Sequence, residues 1–346
     1  MATQLPIPSK RLYNLDYLRG LAALGIMAVH LSTLAAGPLS TGSFPGRYGV
    51  YGVSVFYILS GLTLFYVYFD RIQLNRQDLG NFFLRRFVKI FPLFWLVTFL
   101  TMFVRDIIPS NTRLVYNLTG LFAVTDRHGY IAPGAWSIGN ELIFYLFFPV
   151  FVILSKKSRL TFYLLSAATL LIYLYFAFYK QNPSVSYLDQ WLNYINPLNQ
   201  LFLFLAGFLM GYFFHKKSIP PTVSPLCLVI GLALLFFYPA AINIVAGMAR
   251  IVFTVAAILI CFAFYKTSFR LKGLPDKFLA TLGQISYPVY LIAPLVWYTL
   301  LNLHFNLATT PLIIICMLVT LALSYCLHKL KSRISPSIKT SSPIKN

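Results

Sequence analysis

Carboxylates are what this chain has least of. Eight acidic residues are spread over 346 positions, and Glu141 is the only glutamate. Charged residues of both signs make up 10%, against roughly a quarter in soluble domains, which argues against a water-soluble globular fold. Period-two alternation is missing, which argues against a membrane β-barrel. Cysteine is scarce as well. Cys227, Cys261, Cys316 and Cys326 lack metal-type spacing and fall in apolar stretches. They are expected to pack as small hydrophobes, and no metal site is expected.

Apolar residues are abundant. They make up 58% of the chain, and they come in blocks of about 18–22, each long enough to cross a ~30 Å hydrocarbon core as a helix. The expected fold is all-α, a polytopic transmembrane bundle of about ten spans. The spans fall near 15–36, 50–69, 85–104, 138–155, 160–179, 197–214, 225–241, 247–265, 281–302 and 311–330. The net charge of +20 does not point to nucleic acid, because Lys and Arg lie in short loops between the apolar blocks. Of 28 basic residues, 22 fall on one side of the alternation, 5 on the other, and Arg250 within a span. Basic loops stay cytoplasmic, so both termini are expected there.

Residues 1–14 read as a cytoplasmic tail, 15–333 as the membrane domain, and 334–346, rich in Ser, Pro and Lys, as a disordered tail. Lys10 and Arg11 precede an apolar stretch ending in Ala35-Ala36-Gly37, as in a signal peptide. Asp16, Arg19 and His30 interrupt that stretch, so it is read as a retained span. Leu114–Thr125 is apolar but too short to span, and is expected to lie at the surface or re-enter. No soluble catalytic segment interrupts the spans, so any activity is built from the helices.

Three groups of polar residues stand out against this background. The first is Asp16, Arg19 and His30 in span 1. Their spacing puts them on one helix face, climbing from the inner surface toward mid-bilayer. Ionisable groups at that depth are costly and tend to be functional, and an imidazole suits proton transfer. The second is Trp136 through Tyr145 at the outer start of span 4. Here Ser137, Glu141 and Tyr145 share a face at i, i+4, i+8. A carboxylate at that depth can orient an imidazole, as in hydrolytic triads. The third is Arg85, Arg86 and Lys89 at the inner entry to span 3. Arg86 and Lys89 lie one turn apart, which suits phosphate as well as ordinary positive-inside anchoring.

In this order, the groups resemble the acyltransferase 3 family of integral-membrane O-acyltransferases. The resemblance rests on Leu15-Asp16-Tyr17-Leu18-Arg19-Gly20 with His30, on Gly52 through Gly61, and on Arg86-Phe87-Val88-Lys89 with Phe91-Pro92. It continues through Trp136 to Tyr145 and Gly283 to Leu291. Two departures are Lys89, where the family has arginine, and Ala293, where it often has histidine.

The resemblance implies transfer of an acyl group, usually acetyl, from cytoplasmic acyl-CoA to a hydroxyl of a cell-surface or exported glycan, with acyl-CoA as co-substrate. It places His30, Glu141, Arg19 and Asp16 in the catalytic group. Arg85, Arg86, Lys89 and Arg19 are the expected CoA contacts. Ser137, Tyr145, Trp136 and Ser60 are candidates for oxyanion or acceptor contacts. His30 serves either as general base or as a transiently acylated nucleophile. The expected location is a bacterial plasma membrane, with lipids as neighbours. A proton-coupled transporter using Arg19, His30 and Glu141 is the competing reading.

Overall fold

The computed structural model describes residues 12–73, 75–239, 241–267, 269–304 and 307–334. The tails expected at 1–14 and 334–346 lie almost wholly outside them. Among the described residues every regular element is helical. These are α1 (Tyr13–Ala36), α2 (Phe44–Tyr68), α3 (Arg76–Val104), α4 (Asn111–Thr119), α5 (Phe122–Thr125), α6 (Ala135–Lys157) and α7 (Arg159–Tyr175, continued by a π-helical turn to Lys180). They continue with α8 (Trp191–Tyr194), α9 (Pro197–Phe214), α10 (Val223–Phe237), α11 (Gly247–Lys266), α12 (Gly273–Asn302) and α13 (Thr309–Ile334). Nine of the described helices, counting α7 with its π turn and α8 with α9, are long and apolar enough to cross a bilayer.

The tenth expected span, 225–241, departs from expectation. It forms only the 15-residue helix Val223–Phe237, about 22 Å at 1.5 Å per residue. Hydropathy ran on through Tyr238 and beyond, but Pro239 follows, and the residue before a proline is pushed out of the helical region. Tyr238 is extended, with φ −60° and ψ 139°. The exposed carbonyls of this early end are satisfied from another helix. Arg47 of α2 is buried and donates to Leu235 O and Phe236 O, each at 3.0 Å. In an apolar medium such pairing is close to obligatory.

Several helices start earlier than their apolar blocks. α3 begins at Arg76 and α12 at Gly273, because polar first turns extend the helices past the apolar stretch. Side-chain caps mark other starts. Ser43 accepts from Gly46 N and Asn75 from Asp78 N. The 114–125 stretch folds as α4 and α5, with Phe122 and Ala123 buried and Trp95 Nε1 donating to Leu118 O at 2.8 Å.

Two helix pairs pack backbone against backbone. α2 meets α9 at Gly61 and Gly207, where a Cβ on either would collide with the carbonyl of Phe204 or Ile58. α1 meets α12 at Gly20 and Gly283, where a Cβ would collide with Leu282 Cβ or with the Asp16 carbonyl. Small residues permit such contact in membranes. The hydroxyl of Ser60, beside Gly61, points to Glu141. All four cysteines are free, and Cys261 and Cys316 are buried in the core.

Candidate functional site

Asp16 and Arg19 of the first polar group, Arg86 and Lys89 of the third, and Ser137, Glu141 and Tyr145 of the second meet around a cavity of about 300 Å³ between α1, α2, α3, α6 and α12. It sits toward the end of the bundle where α1, α3 and α12 begin. Asp16 and Arg19 lie on α1 as an i, i+3 ion pair of 3.3 Å. Arg19 also donates to Leu59 O at 3.4 Å and to the Thr63 hydroxyl. Thr63 passes its own proton to Leu59 O at 2.6 Å. The guanidinium is thereby fixed to the last turns of α2.

α3 brings Arg86 and Lys89 to the opposite wall. Arg86 donates to Tyr68 Oη at 2.9 Å and lies over the rings of Tyr68 and Tyr145, at 5.2 and 5.8 Å. Its Nε is buried with no partner among the described residues. Lys89 is exposed and lines the same cavity. Arg85 is exposed on α3 but is not part of the cavity wall.

Glu141 of α6 accepts from Ser60 Oγ at 2.7 Å and from Tyr145 Oη at 2.5 Å. Two hydroxyl donors from different helices therefore hold one carboxylate. Three cations (Arg19, Arg86, Lys89) face two carboxylates (Asp16, Glu141) around the cavity, an excess of one positive charge. Such a wall favours an anionic ligand.

His30 lies elsewhere. It lines a second cavity, of about 270 Å³, toward the opposite end of the bundle, where α2 and α6 begin. This cavity is walled by Tyr130, Trp136, Tyr187, Trp191 and Tyr194. Trp136 and Trp191 stack edge to face at 5.4 Å, and Trp191 Nε1 donates to Tyr130 Oη at 3.2 Å. The loop bearing Tyr130 is pinned by buried Asn117, which donates to Gly129 O at 2.8 Å and accepts from Ile131 N at 2.8 Å. Burial pushes the Tyr130 and Tyr187 phenols up, so both remain neutral donors.

The helix face expected to join Asp16, Arg19 and His30 is thus divided between two chambers, and Trp136 belongs to the second while Ser137 belongs to the first. Among the described residues no contact joins His30 to Glu141. Tyr290 of α12 lines both cavities, with its ring centroid 6.1 Å from that of His30. Sequence reasoning missed Tyr290 as a site residue, along with Thr63, Gln284 and Tyr287. The signal for the α12 residues was the Gly283–Leu291 stretch, which places Gly283, Tyr287 and Tyr290 on one helix face. The aromatic wall carried no such signal, because it is assembled from two loops together with the start of α6 and with α8.

Apolar helices gathering ionisable groups between them define a multi-pass integral membrane protein. Its family follows from comparison with known proteins. The acyltransferase 3 family profile, described as an acyltransferase domain, matches residues 12–329, and the chain belongs to that family of membrane acyltransferases. Neither the comparison with curated proteins nor that with solved structures found a match.

Proposed function

We propose that this membrane acyltransferase moves an acetyl group from cytoplasmic acetyl-CoA to a hydroxyl of an exported or cell-surface glycan, at a bacterial plasma membrane. The observation that carries the reading is the pairing of two unlike cavities back to back at Tyr290, one cationic and one aromatic with His30 in its wall. The cationic cavity, at the small end of ligand sites, takes the acyl-pantetheine arm. Arg86, Lys89 and Arg19 meet phosphate oxygens by charge-assisted hydrogen bonds. Arg85 serves the nucleotide outside the cavity.

The aromatic cavity takes the acceptor sugar, whose apolar ring faces pack on Trp136 and Trp191. His30 takes the proton of the acceptor hydroxyl as its oxygen attacks the thioester carbonyl. The carbon–sulfur bond breaks, and the proton passes to the departing CoA thiolate. In the covalent variant the imidazole attacks first and hands the acyl group on. Glu141, held by Ser60 and Tyr145, balances the cations and keeps those hydroxyls in place.

The test is incubation of the purified protein with acetyl-CoA labelled in the acetyl group, beside His30→Ala. CoA release that depends on His30 supports the reading, and label trapped on the protein selects the covalent route. Absence of binding and release in folded protein favours the proton-coupled transporter instead.

A further inference from the structure

The two cavities share one side chain whose polar atom is fully engaged. Tyr290 Oη donates to Gly134 O at 3.0 Å and accepts from Ser137 Oγ at 2.9 Å. Ser137 Oγ also lies 3.0 Å from Gly134 O. The serine has a single proton. With that proton on Tyr290 and the phenol proton on Gly134 O, both hydroxyl hydrogens of this triangle are used. The start of α6 is shaped around the phenol. Gly134 has φ +82°, and a Cβ there would stand 3.0 Å from Tyr290 Oη.

The turn of α12 that carries the ring lies between two prolines, Pro288 and Pro294. Pro294 has no N–H for the Tyr290 carbonyl, four residues back. The helix is therefore weakened where the ring must shift if the cavities are to join, while the triangle holds the ring in place.

We propose that Tyr290 is a positioning residue that partitions the acyl group between acceptor and water. This inference rests on the two-cavity reading of function. With the ring in place, a thioester in the cationic cavity is screened from the aromatic cavity and from water entering through it. Displacement of the ring by a seated acceptor joins the chambers and lets His30 meet the thioester. Without the ring, water replaces the acceptor. Its oxygen attacks the thioester carbonyl, the carbon–sulfur bond breaks, CoA leaves as the thiol with one water proton, and acetate and the second proton are released.

The experiment measures CoA release from acetyl-CoA with no acceptor present, together with acetyl-CoA binding, in wild type, Tyr290→Ala, Tyr290→Phe and Ser137→Ala. The wild type is expected to bind acetyl-CoA and release CoA slowly. Tyr290→Ala is expected to raise acceptor-independent release by about tenfold or more with binding unchanged. Tyr290→Phe, which keeps the ring but loses its hydrogen bonds, and Ser137→Ala are expected to rise by about two- to fivefold. A ring with only a packing role leaves hydrolysis flat or lowers it together with binding, and that result overturns the inference. If Tyr290→Ala does not fold, Tyr290→Phe and Ser137→Ala decide, and unchanged release in both overturns it. A wild type that binds no acetyl-CoA overturns the underlying functional reading instead.

Discussion

The cavity beside Arg86 and the cavity beside His30 are of nearly equal size, about 300 and about 270 Å³, yet their walls have little in common. The first gathers three cations and two carboxylates. Among the described residues the second is lined by no Lys, Arg, Asp or Glu, and six of its lining residues are tyrosine or tryptophan, Tyr290 included. An anion placed in the second finds no counter-charge and loses its hydration, which costs several kcal/mol. An uncharged sugar ring placed in the first accepts hydrogen bonds from the cations but leaves their excess charge unneutralised. The difference sorts ligands by charge before any chemistry begins, and for that reason the proposed function seats a phosphate-bearing donor in the first cavity and a glycan acceptor in the second.

The comparison breaks most sharply at His30. His30→Ala is expected to lower acetyl transfer by about 10³, in the range of general acid–base catalysis, while acetyl-CoA affinity stays within about twofold. Transfer kinetics beside equilibrium binding check both halves, and a matching loss of binding would place the donor in the aromatic cavity. Next in size is Lys89→Met. Lys89 has no hydrogen bond among the described residues that its loss would disturb, so the change reads the ligand alone. The KM for acetyl-CoA is expected to rise about tenfold, the value of one charge-assisted contact, with the acceptor KM unmoved.

Trp191→Ala mirrors it on the other side, raising acceptor KM about five- to tenfold through lost aromatic packing and leaving the donor KM alone. The smallest effect belongs to Arg85→Ala. Its side chain is exposed and outside the cavity wall, and screened surface charge of this kind changes donor KM by less than about threefold. A larger change, one that falls away as salt is added, would make Arg85 a principal phosphate contact beside Arg86 and Lys89.

What the sequence made legible was local. The i, i+3 spacing of Asp16 and Arg19 is realised as an ion pair, and the i, i+4, i+8 spacing of Ser137, Glu141 and Tyr145 puts all three on the wall of one cavity. Nine spans were readable because each apolar block exceeds bilayer thickness. The tenth was overdrawn because hydropathy does not register how Pro239 ends a helix, or that Arg47 stands ready to donate to the freed carbonyls.

Tertiary placement was hidden. Helical periodicity puts His30 on the face of Arg19 and carries no information about Tyr290, which arrives from α12 and lines both chambers. Trp136 and Ser137 are neighbours in sequence yet belong to different cavities, since successive residues on a helix diverge by about 100°. The aromatic wall draws on loops near residues 130 and 187 as well as α6 and α8, so no single window of sequence contained it.

The central claim is that donor and acceptor occupy separate chambers, and equilibrium binding of acetyl-CoA to four purified proteins tests it most directly: wild type, Lys89→Met, Trp191→Ala and His30→Ala. The account predicts affinity about tenfold weaker in Lys89→Met and unchanged in the other two variants. Loss of acetyl-CoA binding in Trp191→Ala, with Lys89→Met indistinguishable from wild type, would contradict it.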